Sequence, residues 1–189
     1  FILAVIVALR NKPMLAGVIF MAAMMTKLQN MIYGPLFFLF IYQLHGYPGL
    51  IRAVAGATMA FFGLNIEFLF AHNMSRVVAS LVENYAYFPW MSLNAFNLWW
   101  IVAAGRGMEV SDKLLAIGIV NAKTVGLLLF SSFYLFAMLF QGVALKKALQ
   151  GHSLYKFLVS LIVVNAAFFL FQTESHDRYA FPLSVFLLL

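Results

Sequence analysis

The chain has 189 residues, 65% of them hydrophobic and only 10% charged, whereas a soluble domain carries about a quarter charged residues. So few polar groups cannot cover a protein in water, which excludes a soluble globular domain; the net charge of +6 is too thinly spread for a basic arm or helix, which excludes a nucleic-acid partner. Cysteine is absent, so neither a disulfide framework nor a thiolate metal site exists.

In chain order, Phe1 to Leu9 reads as the end of one span and lacks the charged start and small-residue cleavage site of a signal peptide. Arg10-Asn11-Lys12-Pro13 is a turn, with proline at the first helical position. Met14 to Met25 is apolar, Thr26 to Asn30 interrupts it, and Met31 to Leu44 is apolar again with Pro35 inside. His45-Gly46-Tyr47-Pro48-Gly49 reads as a loop. Leu50 to Ala71 is long enough to span, with Asn65 and Glu67 near its far end. Residues 72–112 are mixed, aromatic-rich and partly polar, and read as an outer interfacial segment; Leu98 to Ala104 is too short to cross and belongs to a helix lying in that segment. Thr124 to Leu145 carries no charge and spans, Lys146 to Ser153 is a polar loop, and Leu154 to Thr173 spans again. A polar cluster at 172–178 follows, and then Leu183 to Leu189, still apolar at the last residue. The expected fold is all-α: a single transmembrane domain over 1–189, a polytopic helical bundle of about six crossings. Both terminal helices read as truncated, so the chain is expected to be a fragment of a longer, multi-pass integral membrane protein.

Placing Arg10 and Lys12 in the cytoplasm by the positive-inside rule puts Lys27 outside, Arg52 inside, 72–112 outside, Lys146 and Lys147 inside and His176 outside. All six acids, Glu67, Glu83, Glu109, Asp112, Glu174 and Asp177, then fall on or near the outer side, and chemistry is expected on that ionically mixed face. The two arms flanking Lys27 are short, about 18 Å and about 25 Å at the helical rise. The Lys27 turn is therefore expected below the outer surface, against an outward-facing cavity.

Four groups of residues could carry chemistry. Lys27, with Gln29 and Asn30 beside it, suits a phosphate or pyrophosphate headgroup as a point charge, or else snorkels while the amides cap helix ends. In the terminal cluster, Arg178 offers a five-donor fork for phosphate, His176 can bind phosphate, pass a proton or ligate a metal, and Asp177 can orient either neighbour. The bland alternative is a local ion pair of Arg178 with Glu174 or Asp177 capping a membrane helix. Glu67 either neutralises Lys27 or Arg178 or simply reaches water from the interface. Asn94 and Asn97, three apart on one expected helical face, lie among aromatics that suit a sugar ring, although dense Trp and Tyr at a membrane boundary also form an ordinary aromatic belt.

His176-Asp177-Arg178-Tyr179-Ala180-Phe181-Pro182 resembles the His-Glu-Arg-Tyr-x-x-Pro signature of multi-spanning glycosyltransferases of the GT-C class. Thr26-Lys27-Leu28-Gln29, with Pro35 downstream, resembles the Thr-Lys-Pro-Gln motif of the bacterial branch related to GPI mannosyltransferases. Ser92 to Trp100 resembles that branch's Asn-Ala-Tyr-Asn-Leu-Trp stretch. The resemblance implies transfer of a hexose, mannose-like, from a polyprenyl-phosphate donor on the extracytoplasmic or luminal side, in many such enzymes with a divalent metal, Mg or Mn. By it, Lys27 and Arg178 bind the phosphate, His176 and Asp177 serve catalysis, and Gln29, Asn94 and Asn97 hold sugar hydroxyls; Glu67 and Glu174 are read from the residues alone as candidate charges in the cavity. The partners implied are the lipid-linked donor and membrane lipids. The usual catalytic carboxylate of the family lies in a first outer loop, which this sequence does not contain. Asp177 stands where the signature has Glu, and Leu28 where the motif has Pro. The rival classes are a non-catalytic accessory or scaffold subunit of a larger membrane assembly, or a transporter; a transporter should show paired broken helices related by a repeat, and none is seen.

Overall fold

A computed structural model describes residues 1–82, 88–142 and 150–188. Glu83 and the aromatics of 83–87, and the loop bearing Lys146 and Lys147, lie outside the described residues. The chain is mostly helical, and three helices are long and apolar enough to cross a membrane: Leu28–Leu64, Ala122–Gly142 and His152–Phe171. The helix Pro13–Thr26 is apolar but shorter. Two compact units are distinguished, one of Phe1–Tyr85 with Gln141–Phe157, the other of Ala86–Phe140 with Leu158–Leu189.

In the first unit, α1 (Ile2–Leu9) is followed by α2 (Pro13–Thr26), a 3-10 turn (Leu28–Tyr33), α3 (Gly34–Leu64), α4 (Ile66–Phe70) and α5 (Met74–Val82). Lipid tails are as apolar as leucine, so membrane helices gain their packing from close backbone approach at small residues. Glycines on α2 and α3 provide it reciprocally: a Cβ at Gly17 would strike the Ala53 carbonyl, and a Cβ at Gly56 the Met14 carbonyl. Aromatics fill the rest, with Phe20 stacked on Phe37 at 4.7 Å and Phe40 on Phe157 at 4.4 Å. Two glutamines tie the unit, Gln43 Nε2 donating to the Gln141 carbonyl (2.6 Å) and Gln141 Nε2 to the Leu36 carbonyl (2.9 Å).

The loop expected at His45–Gly49 is instead a kink within α3. Only Gly46 leaves helical geometry, at φ 64°, ψ −166°, a region open to glycine alone. The His45 ring nitrogen meets the Ala8 carbonyl at 2.8 Å, so one glycine absorbs the whole turn signal while its neighbours stay helical.

The second unit holds α6 (Leu98–Val102), a hairpin of β1 (Leu115–Ile117) and β2 (Val120–Asn121), and α9 (Phe181–Leu187). It also holds most of α7 (Ala122–Gly142) and of α8 (Gln150–Phe171). Ser160 Oγ donates to the Ala137 carbonyl (3.2 Å) between α7 and α8. Within 88–112 the helix expected at Leu98–Ala104 is present as the short α6, Leu98–Val102, and the residues before it are extended rather than helical. Residues 90–94 are extended and make isolated bridges to two other stretches, Trp90 with Ser111 and Leu93 and Asn94 with His176. On one side Met91 N–H donates to Val110 O (2.9 Å) and Ser92 N–H to Gly107 O (3.2 Å); on the other, Glu174 N–H donates to Trp90 O (3.1 Å) and Leu93 N–H to Ser175 O (2.9 Å). These pairings and the hairpin depart from an all-α chain. They are too short to show an alternating pattern, and the hairpin's apolar residues blend into the span that follows. Met91, Trp99, Ala103 and Ala122 form the buried core beneath.

Candidate functional site

The second unit collects His176, Asp177, Arg178, Glu174, Asn94 and Asn97; Lys27, Gln29 and Glu67 belong to the first. The loop of 172–180 leaves the C-terminal end of α8, whose last carbonyls need donors from outside the helix. Three side chains supply them. Asn97 Nδ2 donates to Phe169 O (3.3 Å) and Gln172 O (3.2 Å), Trp99 Nε1 to Phe171 O (2.6 Å), and Ser175 Oγ to Gln172 O (3.0 Å). Asn97 Oδ1 meanwhile accepts Trp100 N–H (3.0 Å), capping α6. Gly126 of α7 leaves room for this knot, since a Cβ there would meet Phe171 O and the Trp99 ring.

Asn94 and Asn97 therefore do not share a helical face. Asn97 is the cap of α6, 1% exposed, with its amide engaged by protein; Asn94 precedes the helix in left-handed backbone (φ 58°) and is exposed. Asn94 keeps an amide open to a ligand, and Asn97 serves as a tie.

Glu174 also adopts left-handed backbone (φ 60°). Its carboxylate meets Lys123 Nζ at 2.6 Å, and the same nitrogen lies 3.7 Å from Asp112 Oδ2. Asp112 is fully buried and accepts from Thr173 Oγ1 at 3.2 Å, while its Oδ1 has no partner among the described residues. Burial raises the pKa of Glu174, and Lys123 opposes that rise. Lys123 was not among the residues singled out in the sequence. It precedes the apolar run from Thr124, where a lysine reads as the end of a loop; the signal was a lone cation at a helix N-terminus, an end that disfavours positive charge unless acids stand near.

His176 is half-buried between the rings of Tyr179 (5.4 Å) and Phe88 (6.5 Å), both edge-on. Its pKa is lowered by burial first and by the Arg178 charge second, with Asp177 opposing, which favours the neutral imidazole at pH 7. Asp177 Oδ1 accepts Arg178 N–H at 2.7 Å and opens the 3-10 turn Asp177–Ala180, after which Pro182 starts α9. Arg178 is exposed, and the described residues give its guanidinium no ion pair, neither with Glu174 nor with Asp177.

In the first unit, Lys27 is exposed in extended backbone between α2 and the 3-10 turn, and Asn30 Nδ2 donates to Ala23 O (2.8 Å) at the end of α2. Both amide atoms of Gln29 are buried without a partner among the described residues. Glu67 is exposed on α4 and forms no ion pair among the described residues with Lys27 or any other cation. A divalent ion is poorly served by these carboxylates: Lys123 Nζ already stands between Asp112 and Glu174, and no three His, Asp or Glu side chains cluster among the described residues.

No family profile, curated protein or solved structure matches the chain.

Proposed function

We propose that this chain is part of a polytopic membrane glycosyltransferase of the GT-C type. It would move a mannose-like hexose from a polyprenyl-phosphate donor to an acceptor on the extracytoplasmic or luminal face. A bundle of about six crossings belongs to the same proposal. The observation that carries it is the exposed guanidinium of Arg178. A planar, permanently charged fork of that kind suits a phosphate.

In this reading Arg178 binds the donor phosphate and His176 donates a ring N–H to it as it departs. Asp177 fixes the turn that presents both, and Asn94 offers its amide to sugar hydroxyls. Lys27 and Gln29 on the first unit keep the phosphate and sugar roles that the resemblance implies, and are tested separately.

A non-catalytic accessory subunit is favoured by one observation: Lys123 pairs with Glu174 and lies 3.7 Å from Asp112, so neither of these two carboxylates stands as an unpaired base. The test is transfer from polyprenyl-phosphate mannose or glucose by the full-length protein in liposomes. Arg178→Ala should lower donor-limited turnover about tenfold or more, the worth of a hydrogen bond to a charged group. Unchanged turnover in both Arg178→Ala and Lys27→Ala removes the assigned roles. No transfer by a well-folded wild type, with a partner protein co-purifying, favours the accessory subunit.

A further inference from the structure

We propose that Lys123 is a positioning residue that holds Glu174 away from Arg178 and so keeps the guanidinium open to an anion. The proposal rests on the phosphate-binding reading of Arg178. Sequence distance alone favours a different pairing, because Glu174 lies four residues from Arg178 and 51 from Lys123. The fold reverses that order. Glu174 meets Lys123 Nζ at 2.6 Å, and the backbone on either side is pinned: Glu174 N–H donates to Trp90 O at 3.1 Å, and Leu93 N–H donates to Ser175 O at 2.9 Å. The left-handed φ of Glu174 (60°), uncommon for a residue with a side chain, sets the direction in which the carboxylate leaves the chain.

The charges make Lys123 a firm partner. One ammonium faces two carboxylates, Glu174 and the fully buried Asp112. Lys123 also sits in the first turn of α7, where the helix's positive end repels a cation and makes nearby acids the compensating charge. Lys123 N–H donates to Asp112 O at 3.1 Å, so backbone and side chain are held by the same residue. Removing the ammonium would leave two like charges close together, and Glu174 would turn to the nearest remaining cation in sequence, Arg178.

The test uses the full-length protein in nanodiscs. The rate at which phenylglyoxal modifies Arg178, followed by peptide mass spectrometry, reports how open the guanidinium is and does not depend on transfer activity. Lys123→Met should slow modification by up to about fivefold, the range set by a surface ion pair. Lys123→Met/Glu174→Gln should restore the wild-type rate, as should Lys123→Arg. A purely structural lysine predicts no such rescue. Wild-type reactivity in folded Lys123→Met, or failure of the double variant to rescue, overturns the proposal. If Lys123→Met does not fold, Lys123→Gln/Asp112→Asn removes one charge of each sign and leaves Glu174 without its cation; slowed modification there supports the proposal and a wild-type rate overturns it. In the parallel transfer assay Lys123→Met should raise KM for the donor and leave kcat nearly unchanged. A wild type that transfers nothing overturns the glycosyltransferase reading alone, because the modification rates still judge Lys123.

Discussion

Asn97→Ala separates a structural tie from a sugar ligand. The wild-type amide accepts Trp100 N–H as the cap of α6 and donates to two carbonyls at the end of α8. Losing a cap of this kind costs about 1 kcal/mol. Each buried carbonyl left without its donor costs a further ~1–3 kcal/mol at most, and less where Trp99 and Ser175 still hold the same helix end. The sum is about 2–4 kcal/mol, confined to the region around α6 and the end of α8. Trp90, Trp99 and Trp100 are the three tryptophans of the sequence, so intrinsic fluorescence during thermal or denaturant unfolding reports on this region directly. The expected result is a clear loss of stability by fluorescence with the helical signal of the spans retained. Asn97→Ser should cost less, since serine still caps but cannot reach both carbonyls. An Asn97→Ala protein with wild-type unfolding and a selective loss of sugar transfer would refute the tie and restore Asn97 as a ligand.

Other perturbations probe the loop and the helices. The lowered His176 pKa means that stability from this group is present above the unfolded value of 6.5 and is lost as pH falls through the folded value. Histidine NMR in nanodiscs should find His176 titrating below 6.5; Arg178→Ala should raise its pKa and Asp177→Asn should lower it further. Gly126→Val should displace Phe171 and Trp99, cost about 1–3 kcal/mol by overpacking, and shift tryptophan emission to the red. Gly46→Ala forces an alanine into glycine-only backbone and should cost about 1–3 kcal/mol in unfolding measurements; a neutral result would mean that α3 is straight at that point.

The spans were legible because they are written in composition. Ala122–Gly142 and His152–Phe171 fall within a few residues of the apolar runs read from the sequence. The 172–180 loop was legible as a break between helices because four ionisable groups interrupt apolar sequence. What was not legible depends on distant partners. The pairing of Glu174 with Lys123 needs the backbone bridges that bring 174–176 against 90–94, and no local rule announces it. Asn97 looked like a partner of Asn94 because three residues make one helical face. That rule fails one residue outside a helix, and α6 starts only at Leu98. His45–Gly49 has the composition of a loop, but in a chain with few other partners for its backbone the helix continues past a single glycine.

The central claim is that Arg178 stands free to bind a lipid-linked phosphate. Equilibrium binding of polyprenyl phosphate, without sugar, to the full-length protein in nanodiscs tests it most directly. Arg178→Ala should weaken Kd about 10- to 100-fold, as the loss of a charge-assisted contact requires, and the weakening should shrink as salt is raised. An unchanged Kd in Arg178→Ala, with the protein folded, would contradict the account.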